Sequence, residues 1–221
     1  MFNMVGPPVP LTEMKAVTKE KHRLYEVGEG KWYPSVTTVT GHKKVKDILR
    51  WRKRVGEEEA NKISGRATAR GNKFHSMVEC YLKNEDVKYD EKSPLAYFMF
   101  KTAKETLNRI DNIHLLESPL YSDKLMLAGR VDCIAEFDNT LSVIDFKTST
   151  KVKKEAWIEN YFVQETAYAV MYYERCGVKV DKIVTLIAIE DGSMQVIIKD
   201  DLNYYYQLLK KYVTDYFKTI K

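Results

Sequence analysis

Through residues 131–137 apolar and polar positions alternate: Val131, Cys133, Ala135 and Phe137 share one face of a strand, and Asp132 falls on the other. The polar turn Asp138-Asn139-Thr140 reverses the chain. In the return strand, residues 141–148, Ile144 and Phe146 share a face while Asp145 and Lys147 share the opposite one. With the longer strand at 124–137 and another near 115–121, these segments form the centre of a sheet. A helical period governs other stretches. Residues 66–82 carry Phe74, Met77, Val78, Tyr81 and Leu82 as one buried stripe, and residues 46–63 predict a helix before it. Residues 154–175 place Trp157, Tyr161, Gln164, Tyr168 and Met171 on one stripe, with Gly177 just past the end as a C-terminal signal. Ser93-Pro94 reads as the cap and first turn of a helix running to residue 110. A β-hairpin is predicted over 24–39, and residues 182–190 and 194–199 pair across the Asp191-Gly192 turn. Asp201 caps a last helix to residue 221, whose Tyr204, Tyr205, Tyr206, Leu209, Tyr212, Tyr216 and Ile220 are core rather than a base-stacking platform. Together these elements give a mixed sheet flanked by helices, α/β (α+β), as one domain over residues 1–221 with no internal repeat or low-complexity linker.

Chemistry concentrates on the two central strands. Gly129-Arg130-Val131-Asp132, followed by Val143-Ile144-Asp145-Phe146-Lys147-Thr148-Ser149, sets two carboxylates and a lysine side by side. Hard carboxylate oxygens suit a divalent cation, and a nearby lysine suits the charge of an attacked phosphodiester. A bare Asp-x-Lys carries little weight, because it recurs at Asp86-Val87-Lys88 and Asp90-Glu91-Lys92 in a charged run that reads as a solvated loop. The third copy differs in having an apolar strand leading into it. Gly129, in the strand before it, marks a bulge or a close backbone approach. The bland alternative for Asp132, Asp145 and Lys147 is a cross-strand salt-bridge set on a wet sheet face. His75 and Glu79 share a helix face and form a pair able to ligate a metal, against the alternative of a surface or satisfied core histidine. Gln164 and Tyr168 are polar groups on a mostly apolar helix face. They either find local hydrogen bonds or bind the scissile phosphate and groups around the metal.

In order, His75, Gly129-x-x-Asp132, Ile144-Asp145-x-Lys147 and Gln164-x-x-x-Tyr168 resemble the RecB-like branch of the PD-(D/E)XK nucleases. Several further segments narrow the resemblance: Tyr33-Pro34-Ser35-Val36-Thr37-Thr38-Val39, Leu49-x-Trp51, Arg70-Gly71-x-x-x-His75 with Glu79, and Glu117. With them, the chain is similar to the mitochondrial genome maintenance exonuclease family and its phage-encoded relatives. This implies a restriction-endonuclease-like fold whose N-terminal hairpin and helical region, residues 24–82, cover the active site. It implies that Asp132, Asp145 and Lys147 are catalytic. It assigns Mg²⁺, with Mn²⁺ as a substitute, to His75, Asp132, Asp145 and the Phe146 carbonyl, with Glu79 as a further ligand candidate. Glu79 and Glu117 are the candidates for a second ion. Gln164, Tyr168, Arg70, Arg52, Lys53 and Lys151 are expected to bind substrate. Two neighbouring carboxylates favour the charged form of Lys147, so it is expected to position the attacking water and offset transition-state charge rather than act as general base.

At 221 residues, with 44% hydrophobic and 30% charged positions, the chain has the length and composition of a domain with a good core. No apolar run approaches the roughly 20 residues of a membrane span. Residues 1–10 show neither a secretory signal nor an Arg-rich transit peptide, so a cytoplasmic enzyme of a bacterium or phage-infected host is expected. Cys80, Cys133 and Cys176 lack paired spacing, which predicts free thiols in a reducing compartment and no four-cysteine iron–sulfur cluster. A net charge of +5 and a pI near 8.8 suit a polyanionic partner. Lys43-Lys44-Val45-Lys46 and Arg50-Trp51-Arg52-Lys53-Arg54 precede the His75 helix, and Lys151-Val152-Lys153-Lys154 follows the Lys147 strand. Basic side chains track a backbone and aromatics stack on bases, which suits single-stranded DNA. Solvated helix faces with Trp51 packed inward account for the same pattern.

The function expected from these features is metal-dependent hydrolysis of DNA from free ends, with a preference for single strands, in replication, recombination or repair. The alternatives are a duplex-resecting or endonucleolytic nuclease of the same fold, and a nucleic-acid-binding module that no longer cleaves. The presence of Asp132, Asp145 and Lys147 together counts against the last.

Overall fold

The computed structural model describes residues 1–19 and 22–219. Strands β1 (Lys15–Lys19), β2 (His22–Gly28) and β3 (Lys31–Pro34) form a small antiparallel sheet in that order. The hairpin predicted over 24–39 thus ends at Pro34. There the Ser35 hydroxyl accepts the Thr38 amide at 3.0 Å and opens helix α1 (Val36–Gly41), which buries Val36 and Val39. A capped turn satisfies amides locally, and that outweighs the strand propensity of Val-Thr-Thr-Val. Helices α2 (Val45–Val55) and α3 (Glu57–Leu82) follow. Their break falls at Gly56, with φ +89° and ψ 147°, not at Ser64-Gly65 as the pattern suggested. Gly65 continues inside α3, whereas the Gly56 conformation is strained for any residue with a Cβ. Trp51 is only half buried, not a core residue.

Helix α4 (Pro94–Leu107) has Pro94 in its first turn, but Ser93 supplies no side-chain cap, contrary to expectation. The main sheet is β4 (Ile110–Ser122), β5 (Leu127–Phe137), β6 (Thr140–Ser149), β7 (Lys182–Ile189) and β8 (Met194–Lys199), in that order. All neighbours are antiparallel except β6 and β7, which are parallel and joined through helix α5 (Glu159–Cys176). Asp138 and Asn139, at φ +50° and +59°, make the tight turn between β5 and β6. Gly177 ends α5 in the left-handed conformation. Asp201 accepts the Tyr204 amide at 3.1 Å at the start of α6 (Leu202–Thr219). The predicted remainder of that helix, with Ile220, lies outside the described residues. Leu209, Tyr212 and Tyr216 are core, but Tyr204 is exposed. No helix among the described residues is long and apolar enough to cross a membrane.

Two apolar layers clamp the sheet. On one face α5 and α6 bring Val163, Met171, Tyr172 and Leu209 to Val143 and Ile183; on the other α3 and α4 bring Phe74, Val78, Met99 and Leu107 to Phe137, Ile144 and Phe146. Each such buried side chain contributes about 1.5–3 kcal/mol, which makes the sheet a firm base for anything mounted on it. The alternation of faces slips in the middle of β4 and β5, beyond a register shift between Asp111 and Leu115 at the start of β4. Leu115 and Leu120 both pack in the α5/α6 layer, as do Val131 and Ile134, although odd separations in an unbroken strand would send them to opposite faces. Val131 therefore parts from Cys133, Ala135 and Phe137, with which the alternation had grouped it. The slip is centred on Glu117 and Asp132, which face each other between the pairs Leu116↔Cys133 and Ser118↔Val131. Glu117 has φ +46°, a rare conformation for a side-chain-bearing residue within a strand.

Candidate active site

Strands β5 and β6 pair from Phe137↔Thr140 to Cys133↔Ile144, and no further. Asp132 stands at the fork, where its Oδ2 accepts the Phe146 amide at 2.9 Å. A carboxylate thus takes the place of the next backbone acceptor. The left-handed Glu117 aims its side chain from β4 toward the same point. From the other side α3 delivers His75, whose Nδ1 lies 3.7 Å from Glu117 Oε1 and 3.8 Å from Asp132 Oδ2. The three residues offer ligand atoms that all lie within 4.8 Å of one another, each residue half buried. They are too far apart to satisfy one another by good hydrogen bonds and close enough to share one small cation. One imidazole nitrogen and two carboxylates suit Mg²⁺ or Mn²⁺.

Asp145 lies deeper, 2% exposed. Its Oδ1 accepts the Gln164 amide at 2.9 Å, and its Oδ2 is ion-paired with Lys147. Burial raises the Asp145 carboxyl above the usual carboxylate range, although the Lys147 charge opposes this. Burial alone would lower Lys147, but the charges of Asp145 and Asp132 outweigh it, so the ammonium holds its proton more tightly than a free lysine. Burial would likewise lower His75, but its interaction with Glu117 and Asp132 prevails and raises it. A cation bound there competes with that proton.

Gly129 proves to be a site of close approach rather than a bulge, since it pairs regularly with Leu120. A Cβ at Gly129 would stand 2.6 Å from the Tyr168 hydroxyl, so the buried phenol packs directly on the strand. Tyr168 also lines a cavity of about 580 Å³ together with His75, Glu117, Arg130 and Asp132, and with Arg23 and Tyr25 from β2. Larger clefts beside Phe2 and Tyr81 and beside Leu202 and Tyr206 bring together no comparable ligand cluster among the described residues.

The other predicted residues divide clearly. Gln164 spends its amide on Asp145 rather than pointing at open space. Glu79 lines the same cavity, but its carboxylate is paired with Lys83 at 2.7 Å and stands outside the His75 cluster. Arg70 is bound to Thr148 Oγ1 at 3.1 Å and ion-paired with Glu190, clamping α3 to the ends of β6 and β7. Arg52 bridges the Gly56 break by bonding Glu57 and Asn61. Lys53 and Lys151 are exposed. Trp157 does not join the α5 stripe; it sits in a 3₁₀ turn ahead of α5 and is 59% exposed. Sequence reasoning missed Glu165, a fully buried carboxyl that accepts the Thr185 hydroxyl and is raised well above its ordinary value by burial. It missed Arg23 and Tyr25 as well, since only the chain's folding back brings β2 to the cavity.

A site of this kind belongs to a known class. The sequence model of the PD-(D/E)XK nuclease superfamily matches residues 49–188, and the chain belongs to that superfamily. The matched span includes His75, Glu117, Asp132, Asp145 and Lys147. Curated relatives named mitochondrial genome maintenance exonuclease 1 are similar over much of the chain. The human protein is 28% identical over 174 residues, covering 72% of this chain and 50% of the relative. The mouse protein is 29% identical over 156 residues (66% and 45%), and that of Xenopus tropicalis 29% over 155 residues (66% and 44%). The chain thus spans about half the length of the curated relatives it matches.

Proposed function

We propose that this chain is a divalent-metal-dependent DNA exonuclease that hydrolyses phosphodiester bonds from free ends and prefers single strands. The observation that carries the reading is the convergence of His75, Glu117 and Asp132 on one cavity, with the buried Asp145–Lys147 pair on the strand that Asp132 holds through the Phe146 amide. His75, Glu117 and Asp132 would hold the ion, with Mg²⁺ the expected one. When bound, the ion supplies Lewis-acid polarisation of the phosphodiester and eases deprotonation of water. Lys147, protonated and pinned by Asp145, would orient water toward phosphorus and offset the charge that develops on the phosphoryl oxygens as the P–O ester bond breaks. Asp145 and Gln164 would fix the direction of Lys147, and Asp145 with the Phe146 carbonyl would complete the oxygen ligands. Arg23 and Arg130 would neutralise backbone phosphate at the cavity mouth.

A single nuclease domain over residues 1–221 agrees with this reading, with the N-terminal hairpin and helical region, residues 24–82, acting as its cover. Support comes from Tyr25, Ser35, Thr68 and Asn72, which wall the cavity from that region. A walled cavity favours an entering end over the middle of a chain, and a flexible single strand over a duplex. The test is digestion of end-labelled linear single-stranded DNA beside a circular single strand, in Mg²⁺, with Lys147→Ala as control. Loss of the linear strand alone, abolished in the variant, is the expected result. Equal cutting of the circle would make the protein an endonuclease, and DNA binding without any cutting would make it a binding module.

A further inference from the structure

The turn between β6 and α5 carries groups that the reaction above leaves unused. Trp157 is 59% exposed in a protein whose other large aromatics are mostly packed. Its surroundings are ordered by specific bonds. Gln195 on β8 accepts the Lys153 amide at 2.9 Å and donates to the Lys153 carbonyl at 2.8 Å, and Lys199 pairs with Glu155 at 2.5 Å. Lys44, just ahead of α2, donates to the Trp157 carbonyl at 2.7 Å. An exposed indole on a turn fastened at these points is a rigid platform rather than a loose end.

The charges around it are equally unusual. Among the described residues no carboxylate lies within ion-pairing distance of Lys44, Lys153 or Lys154, while Lys147 and Lys199 nearby are both paired. Burial and the charge of Lys153 both press the Lys44 ammonium toward a lower pKa; Asp47 opposes them from a distance but is itself ion-paired with Arg50. Lys154 Nζ lies 5.3 Å from the Trp157 ring centroid. The platform also connects to the catalytic lysine. Tyr161 has Lys44 Nζ at 5.7 Å from its ring centroid and Lys147 Nζ at 5.3 Å. A track of cations and aromatic faces therefore runs from Lys147 across Tyr161 and Lys44 to Trp157.

We propose that Trp157, Lys44 and Lys153 form a nucleotide-binding platform beside the active site, on which one base of single-stranded DNA stacks against the indole while its phosphate is held by the two ammonium groups. Stacking is sequence-tolerant because every base presents a π face, and the unpaired lysines complement a polyanion, so the platform fits a strand of any sequence. This inference rests on the nuclease reading and adds to it a fixed point that holds the strand while the scissile bond lies at Lys147.

The test uses a Trp32→Phe/Trp51→Phe background, in which Trp157 is the lone tryptophan. Oligo(dT) is titrated in EDTA, and anisotropy of an end label follows binding in parallel with tryptophan emission. Trp157 emission is expected to quench along the binding curve. Trp157→Ala is expected to weaken binding about tenfold, and Trp157→Phe to recover most of it. Lys44→Gln with Lys153→Gln is expected to reduce the slope of log affinity against log salt by about 0.7 for each phosphate that is no longer neutralised. Unquenched emission, with unchanged affinity and salt slope in these variants, would overturn the platform; Lys147-dependent cleavage in Mg²⁺ would then show the nuclease reading standing without it. A protein that neither binds oligo(dT) nor cleaves DNA would overturn both.

Discussion

Gly129→Ala is the smallest change that tests how the strand fork is built. The added methyl would meet the Tyr168 hydroxyl at 2.6 Å, Cε1 at 2.9 Å and Cζ at 3.2 Å, whereas ordinary contact begins at 3.4 Å. The ring would have to retreat by roughly 0.8 Å from the strand, although Tyr168 is 3% exposed and packed in the α5/α6 layer beside the cavity. Overpacking of this kind costs about 1–3 kcal/mol. Removing the hydroxyl takes away the worst of the three contacts, so Tyr168→Phe is expected to relieve part of that cost. Urea unfolding of wild type, both single variants and the double variant gives the cycle, with a coupling of about 0.5–3 kcal/mol expected. Because Gly129 is on the strand that carries Asp132, cleavage should fall in Gly129→Ala and partly return in the double variant. Strict additivity of the two changes, or a Gly129→Ala protein as stable as wild type, would refute the close-packing account of this glycine.

Three further expectations follow from the site and the surface. Lys147→Ala is expected to keep divalent-ion affinity while lowering the cleavage rate about a hundredfold or more, with a thermal melt to establish folding; near-normal turnover would remove Lys147 from the chemistry. Asp132→Asn keeps an oxygen to accept the Phe146 amide, so the fold should persist while Mn²⁺ affinity by calorimetry drops by more than about tenfold; unchanged affinity would exclude Asp132 as a ligand. Asp138 is held below the usual carboxylate range by Arg109, and Asp90 by Lys73. Such depressed carboxyls add stability above their unfolded values, near about pH 4, and lose it as pH falls through their folded ones. Urea midpoints should therefore decline on acidification below that range, less steeply in Asp90→Asn/Asp138→Asn, and an identical acid limb would contradict those pairings.

Much of the frame was legible because its signals are local. The β5–β6 turn follows from Asp138-Asn139, the end of α5 from Gly177, and the facing of Asp145 and Lys147 from strand period alone. Four features were not, each for a physical reason. The resemblance offered Glu117 only as a candidate for a second ion; that it joins His75 and Asp132 depends on a left-handed backbone angle and a cross-strand register, which neither composition nor spacing encodes. Trp157 fitted the helical stripe by arithmetic, but α5 begins at Glu159, and the turn before it swings the indole outward. Gly65 and Gly56 look alike as letters; only the backbone angle at Gly56 reveals which one ends a helix. Arg70 and Arg52 read as free cations because their partners, Glu190 for the one and Asn61 for the other, become neighbours only on folding.

The most direct measurement of the central claim is a Mg²⁺ titration of cleavage on linear single-stranded DNA, for wild type and Glu117→Gln side by side. If His75, Glu117 and Asp132 hold the ion on which hydrolysis depends, wild type is inactive in EDTA, and the variant needs a markedly higher Mg²⁺ concentration for half-maximal rate. Cleavage by wild type in EDTA, or identical Mg²⁺ curves for the two proteins, would contradict it.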